Sequence, residues 1–78
     1  MRRMLAENPV PYPTNADLPA SIQDHLPPHA QDIYRAAFDA AYDGYAAAAD
    51  HEAIAHRVAW AAVKRRYVKI DDRWIERR

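Results

Sequence analysis

The sequence has no cysteine, a single glycine and no long uncharged apolar run. Without cysteine it can form neither a disulfide nor a thiolate metal site. One glycine, Gly44, cannot build the glycine-rich loops that bind phosphates or dinucleotides, nor the G-x-S-x-G turn of hydrolases. No stretch approaches the ~18 apolar residues of a membrane span, and residues 1–10 lack the apolar core of a secretory signal. We therefore expect a cytoplasmic protein with no membrane insertion.

The chain is too short to include a separate cofactor domain. Its 78 residues correspond to one domain, and 17 of its hydrophobic residues are alanine, which leaves few large side chains for a core. A core of this size rarely contributes more than ~3–5 kcal/mol, so a large active-site cavity is not expected. Ser21 and Thr14 are the only aliphatic hydroxyl residues, and both lie in short segments suited to turns and caps. We predict a non-enzymatic protein with no catalytic residues and no cofactor.

Proline dominates the N-terminal region. Three of the six prolines, Pro9, Pro11 and Pro13, lie within the first 16 residues. Proline lacks an amide donor and pushes the residue before it toward extended geometry. We predict a flexible extension over residues 1–10 and a folded domain over residues 11–78, with residues 10–12 available as a short edge strand.

Apolar spacing predicts three helices. Leu18, Ile22 and Leu26 recur every four residues and give a short first helix, which Pro27 and Pro28 end. The second helix shows a full amphipathic series at ~100° per residue, formed by Ala30, Ile33, Tyr34, Ala37, Phe38, Ala41, Tyr42 and Tyr45. The third helix is indicated by Ala55, Val58, Ala59, Ala62 and Val63.

The C-terminal residues have a different pattern. Asp50 is a suitable N-cap for the third helix, but residues 67–76 lose the helical period. Two short apolar stretches around Asp71 and Asp72 predict a hairpin, to which residues 10–12 could add a third strand. The predicted fold is mainly α: a small compact domain of about three helices, with a minor β-hairpin or three-stranded sheet at the termini.

The four histidines do not form a metal-binding pattern. His51 and Glu52 begin like the H-E-x-x-H motif of zinc enzymes, but the next histidine is His56, five residues after His51. Five residues turn a helix by ~140°, whereas the motif needs ~40° between its ligands. His25 and His29 flank the two prolines and fall on different helices. No metal ligand is predicted.

Charge is divided along the chain, although the formal net charge is zero. Residues 4–56 carry eight acids and one base, and residues 57–78 carry eight bases and three acids. On the second helix Asp32, Asp39 and Asp43 fall within ~20° of one line, which Asp50 would join if the helix continued. This acidic ridge is either a solvated face, with Arg35 paired to Asp39, or a surface that docks a basic partner.

The basic residues also cluster. The candidate basic surface consists of Arg57, Lys64, Arg65, Arg66 and Lys69. Bases at the C-terminal end of a helix complement its dipole, which is a structural reason for the cluster. Together with Tyr67 and Trp74 they could instead bind a nucleic acid through phosphate pairing and base stacking. A sequence pI near 6.9 is low for a dedicated nucleic-acid binder.

Several ordered motifs resemble those of the ChaB family. They are Leu18-Pro19, Leu26-Pro27, the HAQDIY run from His29 to Tyr34, Ala37-Phe38, the AHRVAWAAVK run from Ala55 to Lys64, and Tyr67. The resemblance covers roughly residues 11–75. It implies about three helices with a small β element, and a regulator of a cation/proton antiporter. It also implies a DNA-related role as an alternative, because similar proteins occur in viruses and beside nucleic-acid-binding modules. The sequence departs from the family at Gly44 and in the short alanine-rich link, residues 46–49.

The apolar residues of these motifs are explained by the need for a core, whereas the polar residues are explained less well by the fold alone. They are His29, Gln31, Asp32, His56, Arg57 and Lys64. Side chains in the first turn of a helix can bond to neighbouring loop groups. We therefore predict that His29, Gln31, His56 and Arg57 form a polar cluster that fixes the first helix against the two long ones.

The leading functional hypothesis is a small regulatory or adaptor domain similar to ChaB, which acts by protein contact. Its acidic ridge would meet a basic cytoplasmic loop of a partner such as a cation/proton antiporter. The alternative is a nucleic-acid-binding module, of viral or phage type, that uses the basic C-terminal region. A scaffold or oligomerisation domain is a third hypothesis, and the sequence does not specify the oligomeric state.

Overall fold

A computed structural model describes residues 10–77 of the chain. These residues form α1 (Ala20–His25), α2 (Pro28–Gly44) and α3 (His51–Arg66), followed by β1 (Tyr67–Ile70) and β2 (Arg73–Glu76). A 3-10 turn at Asn15–Asp17 precedes α1. The mainly helical prediction with a small sheet is confirmed. Residues 1–9, which make up most of the predicted extension, and residue 78 lie outside the described part.

The two long helices pack antiparallel to each other. Near the C-terminal end of α2, the ring centroid of Tyr42 lies 4.2 Å from that of His51 at the start of α3. Nearer the start of α2, the ring of Tyr34 packs edge-on against that of Trp60 of α3, with ring centroids 5.2 Å apart. Fully buried alanines at 30, 55 and 59 allow the two helix backbones to approach closely. The alanine-rich composition therefore makes a tight helix pair, with the aromatic side chains filling the space around it.

The short first helix covers one end of this pair. Leu18, Ile22 and Leu26 are all buried, as their four-residue spacing predicted. Pro27 precedes α2, and Pro28 is its first residue, where a missing amide hydrogen costs little. The turn between α1 and α2 is therefore fixed by two residues that cannot continue α1 but can begin α2.

The C-terminal hairpin is tied to the end of α3. Strands β1 and β2 pair antiparallel, with Lys69 opposite Trp74, and Trp74 packs against Trp60 of α3 with ring centroids 5.6 Å apart. The Arg77 amide donates to the carbonyl of Arg66 at 2.6 Å, and Arg77 Nε donates to the carbonyl of Lys64 at 3.0 Å. These contacts explain why a two-stranded sheet is ordered beside the helices.

The prediction that residues 10–12 add a third strand is wrong, because the sheet in residues 10–77 has two strands. Tyr12 instead lies on α2, where its ring centroid is 4.8 Å from that of Phe38. Its amide donates to Asp39 Oδ1 at 3.1 Å. Pro11 and Pro13 flank Tyr12 and have no amide hydrogen, so this segment has few donors for a β ladder.

Candidate functional site

The predicted acidic ridge does not form one exposed line. Asp32 and Asp43 are exposed on α2, but Asp39 is only 9% exposed because residues 10–12 cover it. Helix α2 ends at Gly44, so Asp50 follows a separate turn and does not extend the line. Asp50 precedes α3 as predicted, although its side chain makes no capping hydrogen bond. The predicted line assumed an uncovered helix, and the segment that lies across α2 corrects this.

Asp32 helps to anchor the N-terminal segment. Its Oδ1 accepts a hydrogen bond from Asn15 Nδ2 at 2.7 Å and lies 4.0 Å from Arg35 Nη2. Arg35 Nε donates to Asn15 Oδ1 at 2.8 Å, and Arg35 Nη1 donates to the carbonyl of Pro13 at 3.1 Å. Arg35 is thus engaged by this segment and by Asp32, where the sequence interpretation had paired it with Asp39. This network holds residues 13–15 against α2.

Three acids of the predicted line, together with Glu52, lie toward the end of the molecule where α2 is connected to α3. This acidic end consists of Asp39, Asp43, Asp50 and Glu52, and residues 36–56 contain no lysine or arginine. Burial raises the pKa of Tyr12, and the negative charges of Glu52 and Asp39 raise it further. Glu52 follows His51, whose ring centroid lies 4.2 Å from that of Tyr42, so the pairing of the helices brings Glu52 to the end of α2. Sequence reasoning missed Glu52, which only the antiparallel packing of the helices brings here.

A shallow groove of about 390 Å³ opens beside these acids. Its walls are formed by Val10, Pro11, Asp39, Ala40, Tyr42, Asp43 and Ala46. Burial raises the pKa of the Asp39 carboxyl, while the Tyr12 amide and the Arg35 charge act in the opposite direction. The groove combines carboxylates with apolar walls, which suits a cation that carries a hydrocarbon stem.

Most of the basic surface lies at the opposite end of the helix pair, whereas Arg57 lies near the middle of α3. Its members Arg57, Lys64, Arg65, Arg66 and Lys69 are all exposed. Arg66 Nη2 lies 3.5 Å from Glu76 Oε2, so one of these charges is partly neutralised by β2. The sequence shows acids concentrated in its first part and bases in its last part. In the fold, the acidic end and most of the basic surface lie at opposite ends of the helix pair.

The aromatic residues expected to stack on bases are used inside the fold. Tyr67 is 4% exposed, and Trp74 is half-buried against Trp60. Burial raises the pKa of Tyr67, and the charge of Glu76 adds to this. Base stacking needs an open ring face. The exposed bases are thus left without the interleaved aromatic platform that the nucleic-acid hypothesis invoked.

The motif's polar residues take separate structural roles and do not form the single predicted cluster. Gln31 Nε2 donates to the carbonyls of Leu26 at 2.8 Å and Gln23 at 3.3 Å, and so caps the end of α1. His29 Nδ1 lies 3.7 Å from Glu76 Oε2 of the hairpin. His56 Nδ1 bonds to the hydroxyl of Tyr34. These residues fix three different neighbours because helix geometry directs them apart.

Arg57 and Lys64 are the two motif positions with exposed side chains on α3. Both lie on the face of α3 opposite the buried Ala55, Ala59 and Val63. An exposed base on such a face is not required by packing. These two residues therefore remain candidates for an external contact.

Within residues 10–77, no group of three or more histidine and acidic side chains is arranged to hold a metal ion. His51 Nδ1 lies 3.1 Å from the carbonyl of Ala48, and His25 Nδ1 lies 2.6 Å from the carbonyl of Ser21. In the same described residues, every helix is too short or too polar to cross a bilayer.

Comparison with known proteins places these features in a wider group. Residues 18–77 match the model of the ChaB family. The chain is 50% identical to the putative cation transport regulator ChaB of Escherichia coli strain K12, over 83% of this chain and 95% of that protein. The protein of the same name from Shigella flexneri gives the same values. An NMR solution structure of the putative cation transport regulator ChaB has a TM-score of 0.77 and 48% identity, and it covers 87% of this chain and all of that one.

Proposed function

The chain belongs to the ChaB family, and we propose that it is a regulator of cation transport that acts by contact with a protein partner. Relatives with half of their residues in common are named for this role. The proposed partner is a cation/proton antiporter, contacted at a basic loop on its cytoplasmic side. The regulator itself would then be cytoplasmic and would not insert into the membrane.

The observation that supports this proposal is the acidic end. Asp43, Asp50 and Glu52 are exposed there, and no lysine or arginine in residues 36–56 neutralises them. Within residues 10–77 no cationic group lies within ion-pair distance of these three carboxylates, and exposed carboxylates of this kind create a field that attracts a basic surface. Because the groups are exposed, this attraction falls with rising salt over a Debye length of ~8–10 Å.

We assign the protein no catalytic role. Thr14 Oγ1 donates to Asp17 Oδ2 at 2.8 Å in a capping turn, and Ser21 lies exposed in the six-residue helix α1. His56 is engaged by Tyr34, so it is not positioned beside either hydroxyl as a base. The groups that could act as nucleophile and base are thus held in different parts of the fold.

The test is charge reversal at the acidic end. We expect the double variant Asp43→Lys, Glu52→Lys to bind membranes containing the antiporter about tenfold more weakly at low salt. A control, Asp24→Lys, reverses one charge at an exposed position on α1 and should bind like the original chain. Equal binding by the acidic-end variant would rule out this surface. Circular dichroism of both variants checks that the helices are retained.

Nucleic-acid binding is the second candidate, supported by the exposed bases at the end of α3. Titration of labelled single- and double-stranded DNA, followed by anisotropy, distinguishes it from protein contact. Because Tyr67 and Trp74 are used in packing, we expect no micromolar binding at about 0.15 M salt. Binding that weakens steeply with salt, and is lost in Lys64→Glu with Arg65→Glu, would instead support this function.

A further inference from the structure

We infer that the groove beside Asp39 and Asp43 receives one arginine side chain of the protein partner. This inference rests on the proposed function, because that function supplies the basic partner. The groove lies at the acidic end and is bounded by α2 on one side and by Val10 and Pro11 on the other. Its volume of about 390 Å³ falls in the ~300–1,000 Å³ range of pockets that bind small molecules.

The Asp39 carboxylate is buried and only partly hydrogen-bonded. The residue is 91% buried, and its Oδ1 accepts one hydrogen bond, from the Tyr12 amide at 3.1 Å. Among residues 10–77, Oδ2 accepts no hydrogen bond and no cationic group lies within ion-pair distance. A buried carboxylate is costly unless it is paired and hydrogen-bonded. The fold of these residues therefore leaves one oxygen of Asp39, at the wall of a groove, without a donor.

Arg35 does not meet this need. It lies one turn before Asp39 on α2, and its charge opposes part of the rise in pKa that burial causes at the Asp39 carboxyl. Its donors are directed elsewhere, however, with Nε on Asn15 and Nη1 on the carbonyl of Pro13. Arg35 acts on Asp39 through space and favours its charged form, without occupying the groove.

The walls of the groove combine two carboxylates with apolar side chains. Asp43 follows Asp39 by one helical turn, so the two carboxylates line the same side. Ala40, Ala46 and Tyr42 supply apolar contact beside them. Arginine fits this combination better than lysine, because a planar guanidinium offers five donors to two carboxylates and packs its face on an aromatic ring. The groove thus selects for side-chain shape as well as for charge.

The probes are three short blocked peptides, identical except for a central arginine, lysine or citrulline. Citrulline keeps the shape of arginine and removes its charge. Titrations into the full chain are followed by NMR at the amides of Tyr12, Ala40 and Asp43. We expect the arginine peptide to shift these signals, the lysine peptide to bind several-fold more weakly, and the citrulline peptide to give no shift at these sites. Equal shifts by all three peptides would overturn the inference.

The key variant is Asp39→Asn, which keeps an oxygen for the Tyr12 amide and removes the charge. We expect it to bind the arginine peptide about tenfold more weakly, while Asp24→Asn, on α1, binds it normally. Unchanged affinity in Asp39→Asn would overturn the inference. So would binding that appears only after Arg2→Gln with Arg3→Gln, because the groove would then serve the chain's own arginines.

The same variant separates this inference from the proposed function. If Asp39→Asn binds antiporter membranes normally while Asp43→Lys with Glu52→Lys does not, the acidic end is a contact surface and the arginine site is wrong. If the arginine peptide binds but neither change affects membrane binding, the site is correct and the proposed partner is wrong. Loss of both kinds of binding in Asp39→Asn, with its melting temperature retained, supports the two together.

Discussion

The hydroxyl of Tyr34 and Nδ1 of His56 form a hydrogen bond across the interface between α2 and α3. Tyr34 is fully buried, and its ring packs edge-on against Trp60. A buried phenol hydroxyl needs a hydrogen-bond partner, and His56 provides one from the facing helix. His56 is therefore a residue that fixes the register of the two long helices.

The first prediction concerns this bond. Tyr34→Phe keeps the ring and removes the hydroxyl, which leaves the His56 nitrogen without its partner. We expect a loss of about 1–2 kcal/mol in unfolding free energy, measured by urea denaturation. Tyr45→Phe is the matched control, because Tyr45 is 50% exposed and its hydroxyl should contribute within about 0.5 kcal/mol. Equal stability of the two variants would show that the bond contributes nothing.

The same tyrosine predicts how stability depends on pH. Burial raises the pKa of Tyr34 from 10.0 to about 12, so the folded state holds this proton more tightly than the unfolded state. Its contribution is fully present below pH 10 and is lost as the pH rises toward 12, by at most about 3 kcal/mol. Urea denaturation between pH 9 and ~12 should show a shallower decline for Tyr34→Phe than for the original chain. Parallel declines would contradict this assignment.

Gln31 gives a second structural prediction. Its amide caps α1 by donating to the carbonyls of Leu26 and Gln23, so Gln31→Glu removes both bonds with little change in size. We expect a loss of about 1 kcal/mol, seen as a melting temperature lower by ~4–8 °C in a domain of this size. A companion variant, Gln23→Glu, removes the hydrogen bonds to the carbonyls of Ala16 and Leu18. It tests the contacts at the other end of α1 in the same way. An unchanged melting temperature for Gln31→Glu would mean that α1 is held by Leu18, Ile22 and Leu26 alone.

The helices were predictable because the signals that define them are local. The apolar period from Ala30 to Tyr45 and the proline at position 28 define α2. The loss of the helical period after Arg66 indicates the hairpin. Within residues 10–77 the predicted third strand does not form, and the reason is a contact between residues far apart in the sequence. Whether residues 10–12 join a sheet or a helix depends on Tyr12 meeting Phe38 and Asp39, which lie 26 and 27 positions later.

Only the acidic character of the candidate site was predictable from the sequence. Asp43 is exposed as expected, but periodicity places Asp39 on an open face because it treats each helix in isolation. Burial of Asp39 under residues 10–12 requires the tertiary contact itself. Glu52 joins the site from α3, and its proximity follows from helix pairing. A sequence reading could have found Glu52 by folding α3 back antiparallel on α2.

The fourth prediction concerns the segment that covers Asp39. Arg35→Lys keeps the charge and removes the fork that bonds Asn15 and the carbonyl of Pro13. We expect the local opening free energy to fall by about 1–2 kcal/mol, so that the Tyr12 amide exchanges roughly tenfold faster with deuterium. Arg57→Lys, at an exposed helix position, should leave this exchange unchanged. Equal protection of Tyr12 in both variants would show that Phe38 and Asp39 hold the segment without Arg35.

The last prediction concerns the hairpin turn. Asp71 and Asp72 have φ values of 51° and 68°, so both central residues of this two-residue loop lie in the left-handed region. Such a type I′ turn favours Asn-Gly, and two adjacent carboxylates also repel each other. We expect Asp71→Asn with Asp72→Gly to stabilise the protein by about 0.5 kcal/mol, measured by urea denaturation with tryptophan fluorescence. Asp72→Val tests the opposite direction, because a β-branched residue resists positive φ, and it should destabilise by ~1–3 kcal/mol. If neither variant changes the midpoint, the hairpin unfolds independently of the helices and the Trp60–Trp74 contact does not couple them.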